Sequence, residues 1–211
     1  MIESFIDFIL NIDKHLDLVI QQYGFWVYLI IFIFVFCETG LVVTPFLPGD
    51  SLLFTIGALS AADSLNLPLA YGIICTAAIL GNIVNYQIGR SIGPIIFYKE
   101  KVRFLNKENL NRTRLFYERH GGKTVVLARF LPIFRTFAPF VAGIGRMNYW
   151  RFIIFSIIGC IAWATIFLLG GYFFGNIPVV KNNFALVIIA IIIITFLPAL
   201  IEFLRHKIKA S

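Results

Sequence analysis

Apolar and polar positions over residues 2–20 alternate at helical spacing. Ile2, Phe5, Ile6, Ile9, Ile12, Leu16, Val19 and Ile20 fall on one face, opposite Glu3, Asp7, Asn11 and Lys14. This predicts an amphipathic interfacial helix over residues 1–22. The uncharged run Leu18–Cys37 follows, with Tyr23, Trp26 and Tyr28 near its start. It has the length and flanking aromatics of a spanning helix and is expected to end at Glu38. Next comes a break containing Pro45, Pro48 and Gly49, then an apolar arm, Ser51–Ala62, too short to cross a bilayer. Such a pair of arms around a break reads as a re-entrant helical hairpin. Asp63–Pro68 is a short polar loop, and Leu69–Gly89 a second span carrying Asn82, Asn85 and Gln87 toward its end. These amides suit interhelical hydrogen bonding or a substrate path.

Residues 90–123 are the one long polar stretch, with nine Lys/Arg against three Glu. That excess places the loop in the cytoplasm. Asn106 is positioned to cap a short helix over Lys107–His120. Thr124–Gly145 then repeats the earlier design: a short apolar arm, a break at Pro132 and a second arm running through Pro139. Phe152–Gly175 is a third span, Ala185–Leu204 a fourth, and 205–211 a basic cytoplasmic tail.

The two breaks belong to a repeat. Phe46-Leu47-Pro48 recurs as Phe130-Leu131-Pro132, and each is followed by an apolar arm, a turn and a span closing in G-x-x-x-G, at Gly89/Gly93 and Gly171/Gly175. Counting crossings puts both chain ends inside and has the hairpins enter from opposite faces. The expected fold is therefore an all-α polytopic membrane protein. It has about four spanning helices, the N-terminal amphipathic helix, and an inverted repeat (residues 38–93 and 124–175) with two re-entrant hairpins in a domain over 23–204.

Composition agrees with this. The chain of 211 residues is 59% hydrophobic and 14% charged, with mean hydropathy +0.87, outside the range of soluble domains. A net charge of +7 would suit nucleic acid, but the basic residues gather beside spans, where they set orientation and meet anionic headgroups; no nucleic-acid partner is expected. Cys37, Cys75 and Cys160 stand singly in apolar segments, so no disulfide framework, metal site or cofactor is expected. The acidic N-terminus does not resemble a signal peptide.

Against this background the embedded charges stand out. Glu38 and Asp50 flank the first break, and Arg129 and Arg135 the second. Each ionisable group at bilayer depth costs roughly 2.5–3.5 kcal/mol, so such groups persist where they pair or line a polar path. The four are candidates for one polar centre near the midplane. Arginine offers a permanent charge and a planar fork for phosphate or carboxylate. A carboxyl withdrawn from water binds and releases protons nearer neutrality, which makes Glu38 and Asp50 the proton-coupling candidates. Pro45, Pro48, Gly49, Pro132 and Pro139 are the candidate hairpin breaks. No enzyme is expected: His15, His120 and His206 all lie outside the spans, and no H-E-x-x-H, phosphate-binding loop or nucleophile elbow is present.

E-T-G at 38–40, P-F-L-P-G-D-S at 45–51, F-Y-E-R-H-G at 116–121, R-F-L-P-I-F-R at 129–135, A-G at 142–143 and Trp163 together resemble the DedA family of bacterial inner-membrane proteins, over nearly the whole chain. The resemblance implies that Glu38, Asp50, Arg129 and Arg135 are the functional residues. It further implies a transporter that returns undecaprenyl phosphate, an anionic lipid carrier of cell-envelope synthesis, across the cytoplasmic membrane with dependence on proton motive force. The same four charges also suit a phospholipid scramblase, a proton-coupled exporter of small cations or drugs, or a scaffold without transport. A homo-oligomer is compatible with this pattern.

Overall fold

The computed structural model describes residues 24–41, 49–98, 122–175, 177–178, 180, 186–191 and 193. The N-terminal amphipathic helix, Pro45 and Pro48, the Asn106-capped helix, most of the last span and the basic tail lie outside these residues. Every regular element among the described residues is helical: α1 (Trp26–Gly40), α2 (Gly49–Ala61), α3 (Leu67–Tyr98), α4 (Lys123–Ala128), α5 (Pro132–Ile144) and α6 (Tyr149–Phe174), whose residues Thr165–Leu169 form a π-turn. Residues 186–191 are also helical. Leu67–Gly93 within α3, and α6, are long and apolar enough to cross a membrane; α1, α2 and most of α5 are apolar but shorter.

Three boundaries differ from the sequence reading. Glu38 does not end α1, which continues to Gly40, because the carboxylate is neutralised by a partner described below. The loop read at Asp63–Pro68 ends at Asn66. Its side-chain oxygen accepts the Leu69 N–H at 3.0 Å, and Pro68 sits in the first turn of α3, where a missing N–H has no cost. At the other end α3 runs past Gly89 to Tyr98, since a surface-facing Arg90 is no obstacle to a helix.

The chain forms two compact units: Met1–Phe34, Pro48–Thr76 and Trp163–Ser211 in one, Val35–Leu47 and Ala77–Ala162 in the other. In the first, α2 is buried along almost its whole length and packs on the π-turn and last turns of α6. A Cβ on Gly57 would overlap the Leu168 carbonyl, one on Gly171 the Phe54 carbonyl, and one on Gly175 the Ala58 side chain. The two backbones therefore meet directly, as small-residue helix pairs in membranes do. Two tyrosines fasten the start of α3 to its neighbours. Tyr28 accepts the Asn66 N–H at 2.8 Å, and the Tyr71 hydroxyl bonds Thr165 Oγ1 at 2.8 Å.

In the second unit α5 meets α3 in the same manner. A Cβ on Gly89 would overlap the Phe140 carbonyl and one on Gly143 the Tyr86 carbonyl, and Gly93 lies on Ile144. Phe54, Gly57 and Ala58 of α2 thus stand to Leu168, Gly171 and Gly175 as Phe140, Gly143 and Ile144 of α5 stand to Tyr86, Gly89 and Gly93. The turns match as well. α2 closes with Asp63 at φ 60° and a Ser64 N–H to Leu59 carbonyl bond of 3.0 Å. α5 closes with Arg146 at φ 51° and a Met147 N–H to Ala142 carbonyl bond of 3.0 Å. An asparagine, Asn66 or Asn148, then caps the following long helix. The second unit's core is Tyr86, Val125, Ala142, Met147 and Phe152, with Tyr86 stacked on Phe152 at 4.5 Å between ring centres.

Candidate functional site

The last turn of α1 carries Glu38, which is 0% exposed. It can lie deep because α1 approaches α3 at two glycines: a Cβ on Gly40 would sit 3.3 Å from the Gly81 Cα, and a Cβ on Gly81 would overlap the Thr39 hydroxyl. That hydroxyl is turned back to the Val35 carbonyl at 2.8 Å, so the Thr39 side chain satisfies its polarity within its own helix. Glu38 forms a buried ion pair with Arg135 Nη2.

The arginines come from the second break. α4 ends at Ala128 with Arg129 as its C-cap, Leu131 is extended (φ −117°, ψ 114°), and Pro132 begins α5. Proline's fixed φ suits the first helical position, and it pushes the preceding residue out of the helical region. The break therefore falls at Leu131, one residue before the proline. Arg129 and Arg135 are both 6% exposed and belong to the same unit as Glu38. Pro139, expected to be a break, is not one: α5 passes through it uninterrupted. Its ring tolerates helical φ, and what it removes is the intrahelical bond that the Arg135 carbonyl would otherwise accept.

Around the arginines lies a set of neutral polar groups. Asn82, 1% exposed, donates to Ser156 Oγ at 2.7 Å and approaches Cys160 Sγ at 3.7 Å. The Arg129 guanidinium lies against the same thiol, and its stem passes Gly159, where a Cβ would stand 3.5 Å from Cδ. Asn85, 0% exposed, donates to the Thr39 carbonyl at 3.1 Å and the Thr136 carbonyl at 2.8 Å. Both amides act between helices, one of the two roles their sequence position allowed. Gln87 is exposed.

Asp50 belongs to the first unit, in the first turn of α2, where a negative charge complements the helix dipole. It is 7% exposed and accepts the Trp163 indole N–H at 2.7 Å. Sequence reasoning named Trp163 for the family resemblance alone and missed its role as a donor, since an indole in a span reads as apolar. Ser156 was missed too; its only signal is a hydroxyl in an otherwise apolar run. Of the other break residues, Gly49 begins α2.

Comparison with known proteins agrees with these features. Residues 47–173 match the VTT domain. The chain is 50% identical to Protein DedA of Escherichia coli K12 over 213 residues, covering all of this chain and 97% of that protein. It is 46% identical to the membrane protein Rv0364 of Mycobacterium tuberculosis H37Rv, over 83% of this chain and 78% of the relative. It is 32% identical to the inner membrane protein YqjA of E. coli K12, over 72% and 69%. No solved structure matches it. A chain whose described residues form this helical, apolar build, with a buried acid–arginine pair, a VTT domain and these relatives, belongs to the DedA family of membrane proteins.

Proposed function

We propose that the protein moves a polyisoprenyl phosphate, undecaprenyl phosphate, across the bacterial cytoplasmic membrane, with transport drawn by proton motive force in support of envelope synthesis. The observation that carries this is the Glu38–Arg135 pair, with Arg129 buried in the same unit. Removing two charges from water costs several kcal/mol per ion, about as much as their attraction returns, and apolar residues of similar volume would do as well for rigidity alone. A pair retained at this cost suits a site that must open. A phosphate monoester competes with the Glu38 carboxylate for Arg135, and protonation of Glu38 removes that competitor. Arg129 adds a second cation for the same headgroup, and Asp50 is the second proton-coupling group. A proton moving down the membrane potential supplies about 2.3 kcal/mol per 100 mV.

The reading includes the inverted repeat with two re-entrant hairpins, several membrane crossings and both chain ends in the cytoplasm. The like-for-like contacts of α2 and α5 and their matching turns support the repeat. The length of α2 and α5, each 13 residues, supports hairpins that turn back within the bilayer.

The test is translocation of labelled undecaprenyl phosphate in proteoliposomes, with and without a proton gradient. Wild type is expected to move the lipid faster with the gradient, and Arg135→Ala and Glu38→Gln to fail. No movement above empty liposomes overturns the proposal.

A further inference from the structure

Asn85 spends both of its amide hydrogens on main-chain carbonyls, and the residues it selects are telling. Thr39 directly follows Glu38, and Thr136 directly follows Arg135. The bonds are 3.1 and 2.8 Å, and the amide's orientation is fixed by them, because the reverse assignment would set an oxygen against two oxygens. Its own Oδ1 has no hydrogen-bond partner among the described residues, so the side chain is held there for its donors.

One accepting site lies at a helix end and the other adjoins a proline in mid-helix. The Thr39 carbonyl lies in the last turn of α1, where main-chain oxygens have no intrahelical donor. Thr136 lies beside the carbonyl that Pro139 deprives of its bond. Asn85 is placed on them by Gly81, one turn earlier in α3, whose bare backbone brings α1 close.

We propose that Asn85 is a positioning residue for the Glu38–Arg135 pair: it ties the backbone beside each partner to one point on α3, so that the pair opens and recloses by side-chain movement alone while both helices stay in place. This role rests on the reading of that pair as the transport site. Asn85 touches neither the proposed substrate nor a reacting atom, and acts through the spacing of the two charged residues. Asn82, on the same helix, binds Ser156 and Cys160 instead and has no such role.

The experiment uses the full-length protein and two double-mutant cycles, the first joining Asn85→Leu to the paired change Glu38→Gln with Arg135→Gln, the second joining it to Arg135→Lys. The first cycle reads thermal unfolding midpoints in detergent and needs no transport. Asn85→Leu is expected to lower the midpoint of wild type and to lower that of the pair-less background by less. Equal shifts in both backgrounds overturn the clamp whatever the transport result. The second cycle reads undecaprenyl phosphate translocation, with Asn85→Leu joined to Arg135→Lys. On wild type, Asn85→Leu is expected to reduce the maximal rate by about 10- to 100-fold, the scale of a misplaced reacting group, with half-saturation little changed. On Arg135→Lys, whose pair geometry is already altered, it is expected to add almost nothing. Multiplying effects would show a structural contribution independent of the pair and overturn the positioning role. Absence of transport by wild type would sink the functional reading, and the thermal cycle would still decide the clamp.

Discussion

Trp163 donates its indole N–H to Asp50 at 2.7 Å, and both side chains are enclosed, at 1% and 7% exposure. The indole nitrogen only donates, so it satisfies a carboxylate oxygen without bringing a charge of its own. Trp163→Phe keeps the ring's bulk and removes the donor. It is expected to destabilise the protein by about 1.5–3 kcal/mol, the range for hydrogen bonds to charged groups. In an Asp50→Asn background the loss should be visibly smaller, which a thermal-unfolding cycle in detergent measures.

Removing one member of the Glu38–Arg135 pair should hurt more than removing both. Arg135→Ala leaves a buried carboxylate without its partner and is expected to cost about 3–5 kcal/mol. The double variant Glu38→Gln with Arg135→Gln should recover much of that stability while remaining inactive in lipid translocation. Thermal midpoints compared with transport rates on the same preparations check the separation.

The glycines divide into two classes. Gly57→Ala and Gly89→Ala force a methyl into a facing main-chain carbonyl, an overpacking expected to cost about 1–3 kcal/mol or more, since backbone yields less than a side chain. Gly72→Ala and Gly170→Ala meet no atom within 4 Å and lie inside helices. They are expected to gain up to about 1 kcal/mol from alanine's better helix propensity. The yield of monodisperse protein and its unfolding midpoint distinguish the classes.

Arg146 holds φ 51° at the end of α5, a left-handed conformation that costs a residue with a Cβ about 1–2 kcal/mol. Arg146→Gly is expected to raise the unfolding midpoint. Asp63→Gly, at φ 60° after α2, should raise it less, because aspartate tolerates this region better than arginine.

What was legible in the chain follows from contrast. Glu38, Asp50, Arg129 and Arg135 stand out as charges in apolar surroundings, and the breaks beside them are marked by proline and glycine. Asn85 was visible as a polar residue in a span, but its partners were not, because main-chain carbonyls carry no sequence signature. Trp163 was invisible as a donor, since indole reads as apolar until its N–H is seen to have a target. Pro139 looked like Pro132, yet one lies inside a helix and the other begins it, a difference set by the neighbouring turns. The repeated order of arm, turn and G-x-x-x-G was plain. Nothing in it showed that the arm of one repeat rests on the glycines of the other, because the two glycine pairs are alike in sequence.

That exchange bears on how the protein is made. α2 emerges early in synthesis, but the glycine surface it lies against, on the last turns of α6, is translated only after α3, the basic loop, α4 and α5. Until then α2 must wait in or beside the bilayer without its partner, and α3 likewise displays Gly89 before α5 exists. Neither half has a finished interior when it leaves the ribosome. A chain severed in the basic segment would yield two fragments, each lacking the surface that only the other supplies.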